Sequence, residues 1–103
     1  MAQQPVFNGA SATVQAVNHS TTITLGGTAQ DLMDANIGRR YLFIQNISTG
    51  DLWINFGVTA VADQPSIKIP AGASFVMEGT VVFGDLISII GATTGQKFVA
   101  KEG

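Results

Sequence analysis

The chain has 103 residues, 46% of them hydrophobic and only 12% charged, with a net charge of −2 and a pI near 4.9. That length is one domain. Five basic residues against seven acidic ones give no basic footprint for neutralising phosphates, which argues against a nucleic-acid binder. The absence of cysteine excludes disulfides and thiolate metal sites. No apolar run approaches the ~20 residues of a membrane span, and the first residues lack the basic start and apolar centre of a signal peptide. Val, Ile and Thr number 9, 10 and 10, and these stiff, β-branched side chains suit a pleated sheet better than a helix. A domain of this size leaves a large share of its surface exposed. With so few charges to cover that surface, a homo-oligomer is expected.

Residues 1–20 are mostly Gln, Asn, Ser, Thr and Ala and read as an extended N-terminal arm, with one short strand near Ala12–Val17. The arm is either a frayed terminus or a segment laid on a neighbouring subunit, with Phe7 and Val14 as anchors. Residues 21–103 are expected to form the folded domain. Thr21–Leu25 alternates as a half-buried strand does, and Gly26-Gly27 turns the chain. Thr28–Met33 fits a short strand or a single helical turn. Its length favours the strand. Asp34–Gly38 is a loop, with Asn36 and Gly38 suited to positive φ.

Arg39–Gly57 (RRYLFIQNISTGDLWINFG) is expected to organise the fold as a central hairpin. Tyr41, Phe43, Gln45 and Ile47 share one face, and Arg40, Leu42, Ile44 and Asn46 the other, so the first strand is expected to be covered on both sides. Ser48-Thr49-Gly50 makes the turn, with Gly50 available for a left-handed position. Leu52, Ile54 and Phe56 return on one face, which puts Trp53 opposite the core set, on a second layer or toward a partner.

Gly57–Pro65 is a loop and Ser66–Ile69 a short strand. Ile69-Pro70-Ala71-Gly72 reads as a type I turn with Pro second and Gly fourth. Strands follow at Ala73–Met77, Leu86–Ile90 and Gln96–Ala100, with a turn at Glu78–Thr80, a short apolar run at Val81–Phe83 and a hairpin turn at Gly91–Gly95. About eight short strands with frequent turn signals predict an all-β fold, a small antiparallel β-sandwich with a jelly roll as its expected form.

No set of residues calls for a catalytic, cofactor or metal site. His19 is the only histidine and reads as a solvated or subunit-contact residue. Asp31, Asp34, Asp51, Asp63 and Asp85 fall in or near turns, where carboxylates serve loop hydrogen bonding, and they lack the spacing of an EF-hand. GATTG lacks the Lys and the following helix of a phosphate loop. Asn18-His19-Ser20 and Asn46-Ile47-Ser48 match a glycosylation sequon that means little without a secretion signal. Arg39-Arg40 either packs its stems on the sheet or pairs with a neighbouring subunit. Trp53 and Tyr41, with Asn55 and Gln45 beside them, form a candidate stacking platform for sugar, although a lone Trp more often anchors a core or an interface.

RRYLFIQNISTGDLWINFG, SIKIPAGASF and ISIIGATTGQKFVAKEG together resemble a family of small all-β bacteriophage virion proteins, over roughly residues 28–103. The resemblance implies a structural, non-enzymatic capsid decoration (cement) protein that binds the major capsid protein as an oligomer, a homotrimer in its usual form. It would be made in the host cytoplasm and placed on the capsid exterior. Phe7, Val14, Arg39, Arg40 and Trp53 are the candidate subunit or capsid contacts, with neither nucleic acid nor membrane as partner. A tail or fibre module binding a cell-surface glycan, and another head–neck or tail subunit, are the alternatives.

Overall fold

A computed structural model describes residues 13–103. Their strands are β1 (Val17–Asn18), β2 (Thr21–Thr22), β3 (Gln30–Met33), β4 (Leu42–Asn46), β5 (Leu52–Phe56), β6 (Ile67–Ile69), β7 (Ser74–Met77), β8 (Ile87–Gly91) and β9 (Lys97–Glu102). One sheet runs β1-β9-β4-β7, with β2 also on β9, and the other runs β3-β8-β5-β6. Every pairing is antiparallel.

The pairs β5–β6, β4–β7, β3–β8 and β2–β9 nest inside one another like the rungs of one long hairpin. The β4–β9 and β5–β8 pairs roll that hairpin into two layers, and this is the jelly-roll form of the β-sandwich. The expected all-β sandwich is therefore found, in its jelly-roll arrangement.

The expected hairpin of residues 39–57 is not found. β4 belongs to one sheet and β5 to the other, so Ile47–Asp51 bridges the layers. Asn46, fully buried, makes this corner. Its Nδ2 donates to the Gly50 and Ile69 carbonyls at 2.7 and 2.8 Å, and its Oδ1 accepts from the Ser48 N–H and hydroxyl. The side chain thus satisfies backbone groups that a hairpin ladder would otherwise have paired. Gly91–Gly95 is likewise a crossing between β8 and β9 in different sheets, not a hairpin turn.

Alternation along each strand places the core. Leu42, Ile44, Leu52, Ile54, Ile87 and Ile89 have no exposed surface, and they meet between the sheets with Ile23, Leu32, Met33, Ile69, Phe98 and Ala100. Burying each large aliphatic side chain is worth about 1.5–3 kcal/mol. The outer face of β4 is only half covered, at Tyr41, Phe43 and Gln45, so the strand is central in its sheet without being enclosed on both sides. Across the other sheet, the loop after β5 laps over the outer face. Ala60, 1% exposed, donates its N–H to the Ser88 hydroxyl at 2.9 Å, which explains how an outward-facing serine is buried.

Several boundaries move. The N-terminal strand lies at Val17–Asn18, and its pairing to β9 makes the end of the expected 1–20 arm part of the sheet. Regular pairing on the Thr21–Leu25 stretch ends at Thr22. Ile23 instead bonds through its N–H to the Gln96 carbonyl and through its carbonyl to the Gly95 N–H. The last strand continues to Glu102. The proline turn sits one residue later than expected. Ala73 N–H donates to the Pro70 carbonyl, and Gly72, third in that turn, has φ +82°, the conformation a type II turn requires there. Gly38 and Gly50 do not take up the positive φ expected of them.

Candidate functional site

The most elaborate polar arrangement lies where the C-terminus meets the loops between β3 and β4 and between β7 and β8. Arg39 enters β4 with its side chain wholly buried. Its Nε donates to Glu102 Oε1 at 2.8 Å, Nη1 to the Phe83 and Asp85 carbonyls at 2.6 and 2.9 Å, and Nη2 to the Asp34 carbonyl at 2.9 Å. Four of its five N–H donors are thereby used within the chain. Glu102 Oε1 also accepts from Asn36 Nδ2 at 3.2 Å. Its Oε2 lies 2.7 Å from His19 Nε2, which must carry the proton because a carboxylate only accepts. Burial alone would raise the Glu102 pKa. The hydrogen bonds from Arg39 and Asn36, the charge of Arg39 and the contact with His19 together outweigh that and hold it below the usual carboxylate range.

This cluster is a clamp. One guanidinium joins two loops to the penultimate residue, and the loops are joined further by Asn36 N–H to the Gly84 carbonyl at 2.7 Å. The Gly57 N–H, donating to the Leu86 carbonyl at 2.7 Å, brings the start of the next loop to the same end. On these clamped loops stand Ile37, Val58, Val81 and Phe83, all exposed, Ile37 completely. Phe83 packs edge-on against Phe56 at 5.0 Å between centroids, and Phe56 lies 6.0 Å from Phe75. The result is a stiffened end of the sandwich that presents large apolar side chains to its surroundings.

The sequence-predicted contact residues do not converge. Phe7 lies outside the described residues. Val14 is 42% exposed, with its Cγ2 against Gly103 of its own chain. Arg39 is buried and pairs with Glu102 of its own chain, so its ionic partner is not a neighbouring subunit. His19 is also tied to Glu102 instead of being free in solvent. Arg40 is exposed, and its N–H donates to the Gly103 carbonyl. Trp53 faces away from the core, half-buried, opposite Lys68 and Ile90. Lys68 Nζ stands 5.9 Å from the indole centroid and 3.4 Å from Asp51.

The proposed sugar platform is divided between the two sheets. Tyr41 immediately precedes β4 and Gln45 lies within it, whereas Trp53 and Asn55 lie on β5. Ile47–Gly50 of one crossing and Thr93–Lys97 of the other together line an open depression of about 350 Å³. Its buried polar side chain, Gln96, is used internally. Nε2 donates to the Ser48 hydroxyl and the Asp51 carbonyl, and Oε1 accepts from the Thr93 N–H. Among the described residues no three His, Asp or Glu side chains gather closely enough to hold a metal ion.

The sequence marks Asn36 only as a loop residue and Asn46 only as part of a strand face and a sequon, and it does not single out Glu102 at all. Asn46 carried one usable signal, a polar residue in register with Leu42 and Ile44.

No protein-family model and no curated protein matches the chain. A solved structure described as "Bacillus endospore appendages form a novel family of disulfide-linked pili" aligns over 96% of this chain and 95% of its own, at 23% identity and a TM-score of 0.48. That likeness is too distant to carry an argument about function, and this chain has no cysteine for such a linkage.

Proposed function

We propose that the chain is a structural protein of a bacteriophage particle, a decoration protein that seats on an assembled head and stabilises it. The reading is supported by the sequence resemblance over residues 28–103. The observation that carries it is the clamped apolar end formed by Ile37, Val58, Val81 and Phe83, held to the sheet through Arg39 and Glu102. A rigid end with exposed apolar side chains suits docking, because little ordering entropy remains to be lost on binding. A protein that binds only the assembled form stabilises it by mass action, and several such contacts on one particle reinforce each other through effective concentration. The test is copy number in purified particles. Hundreds of copies per head support decoration. A dozen or fewer would instead place the chain at a neck, tail or fibre.

A second reading, a glycan-recognition module, is favoured by the half-buried, outward-facing Trp53. Glycan-array binding abolished by Trp53→Ala would establish that reading. Unchanged or absent binding would remove it.

A further inference from the structure

A sheet edge that presents free N–H and C=O groups invites pairing with another strand, and proteins blunt such edges with charge, proline, bulges or brevity. Three of the four edges here are blunted. β3 carries Asp31 and a register shift between Asp31 and Met33. β6 has three residues with Lys68 at its centre and lies between Pro65 and Pro70. The β1/β2 edge consists of two-residue strands interrupted at His19 and Ser20.

β7 has none of these devices. Ser74, Phe75, Val76 and Met77 are uncharged, and among the described residues the strand pairs only with β4. Asn46 N–H donates to the Ala73 carbonyl. Bonded pairs recur at every second residue of an antiparallel ladder, so Phe75 and Met77 direct their backbone groups to Ile44 and Leu42. Ser74 and Val76 direct theirs outward.

We infer that β7 is a self-association edge, pairing antiparallel with β7 of a second copy about a two-fold axis at Val76. A two-fold axis normal to the sheet keeps each side chain on its own face, so paired residues must share parity. With the axis at Val76, Val76 faces Val76 of the second copy, Phe75 faces Met77, and Ser74 faces Glu78. No like charges meet, and the outward backbone groups of Ser74 and Val76 find partners. Val76 is 45% exposed and stands directly opposite Phe43 on β4, so the joined sheet also merges the apolar stripes of two outer faces. A self-complementary contact of this kind closes as a dimer, in contrast to the trimer implied by the family resemblance. The inference is independent of whether the chain sits on a phage head.

The test is sedimentation equilibrium of the full chain across a concentration series. The wild-type chain is expected to dimerise. Val76→Lys and Val76→Glu, which set like charges opposite each other, are each expected to weaken the dimer by roughly tenfold or more, equivalent to about 1.4 kcal/mol. Mixing the two variants is expected to restore it, because only this register sets opposite charges face to face. Circular dichroism should be unchanged, and so should thermal melting at concentrations low enough to leave the wild-type chain monomeric, whereas at higher concentration the wild type should melt above both variants. Should either variant misfold, hydrogen exchange on the wild-type chain decides instead, with the Val76 amide gaining protection as concentration rises. A wild-type monomer at all concentrations, an oligomer indifferent to both substitutions, a trimer, a mixture that fails to re-form the dimer, or a Val76 amide whose exchange ignores concentration would each overturn the inference.

Discussion

Arg39 and Glu102 lie 63 positions apart, yet the Nε of one donates to the carboxylate of the other at 2.8 Å in a buried contact. The pair closes the sandwich where β4 begins and β9 ends, and it supports the loops that carry the exposed apolar residues.

Removing one member of a buried ion pair leaves the other charge uncompensated, which typically costs about 3–5 kcal/mol. Arg39→Met should fall in that range, because the Phe83, Asp85 and Asp34 carbonyls lose their donor as well. Arg39→Lys should recover only part of the loss, because one ammonium cannot reproduce the planar fork. Denaturant midpoints at constant m-value measure both.

The lowered pKa of Glu102 sets a direction for acid sensitivity. A carboxylate whose folded pKa lies below its unfolded value, about 4.3, adds stability that is fully present above the unfolded value and is lost as pH falls through the folded one. Wild-type stability should therefore decline below about pH 4.3. Glu102→Gln should be less stable at neutral pH and should decline less steeply in acid. Urea titrations at several pH values would show equal slopes if the carboxylate carries no such linkage.

Asn46 holds the crossing between the sheets by donating and accepting at once. Asn46→Ala should cost about 1–3 kcal/mol by leaving buried carbonyls unpaired. Asn46→Asp should be at least as damaging at neutral pH, because an ionised carboxylate cannot donate to the Gly50 and Ile69 carbonyls. Thermal melts of the two variants at neutral and acid pH test this, with the Asp variant expected to recover in acid as its carboxyl regains a proton.

Gly26 lies against the β8–β9 crossing. A Cβ there would meet the Ala92 carbonyl oxygen and stand 2.8 Å from the Thr94 nitrogen. Both are backbone atoms, so no side-chain rotation relieves the contact. Gly26→Ala should destabilise by about 1–3 kcal/mol, as overpacking does, measurable as a lowered melting temperature.

Much of the fold could be read locally. Alternation in Leu52–Phe56 identifies a strand and its buried face, because side chains point to opposite faces with a period of two, whereas Leu42–Asn46 is apolar enough to be expected covered on both faces and Leu86–Ile90 stands out as a continuous apolar run. Alternation also places Trp53 away from the core. The contact residues were far less legible. Alternation puts Arg40 on the face of Leu42 and Ile44, yet Arg39 is the buried one and Arg40 is exposed, because the choice depends on Glu102 arriving from far along the chain.

The sequence by itself determined the all-β character, the position of most strands and, for Leu52–Phe56, the side that enters the core. Those properties follow from composition and from a period-two pattern spanning a few residues. Only the tertiary structure decided which strands pair. A period of two assigns faces without naming partners, and Leu42 and Ile44 look the same whether β5 lies beside β4 or across the core from it. The side chain of Asn46, bonding to backbone at Gly50 and Ile69, turns the expected central hairpin into a passage between sheets. It leaves β7 as the neighbour of β4, with no strand on its other edge among the described residues.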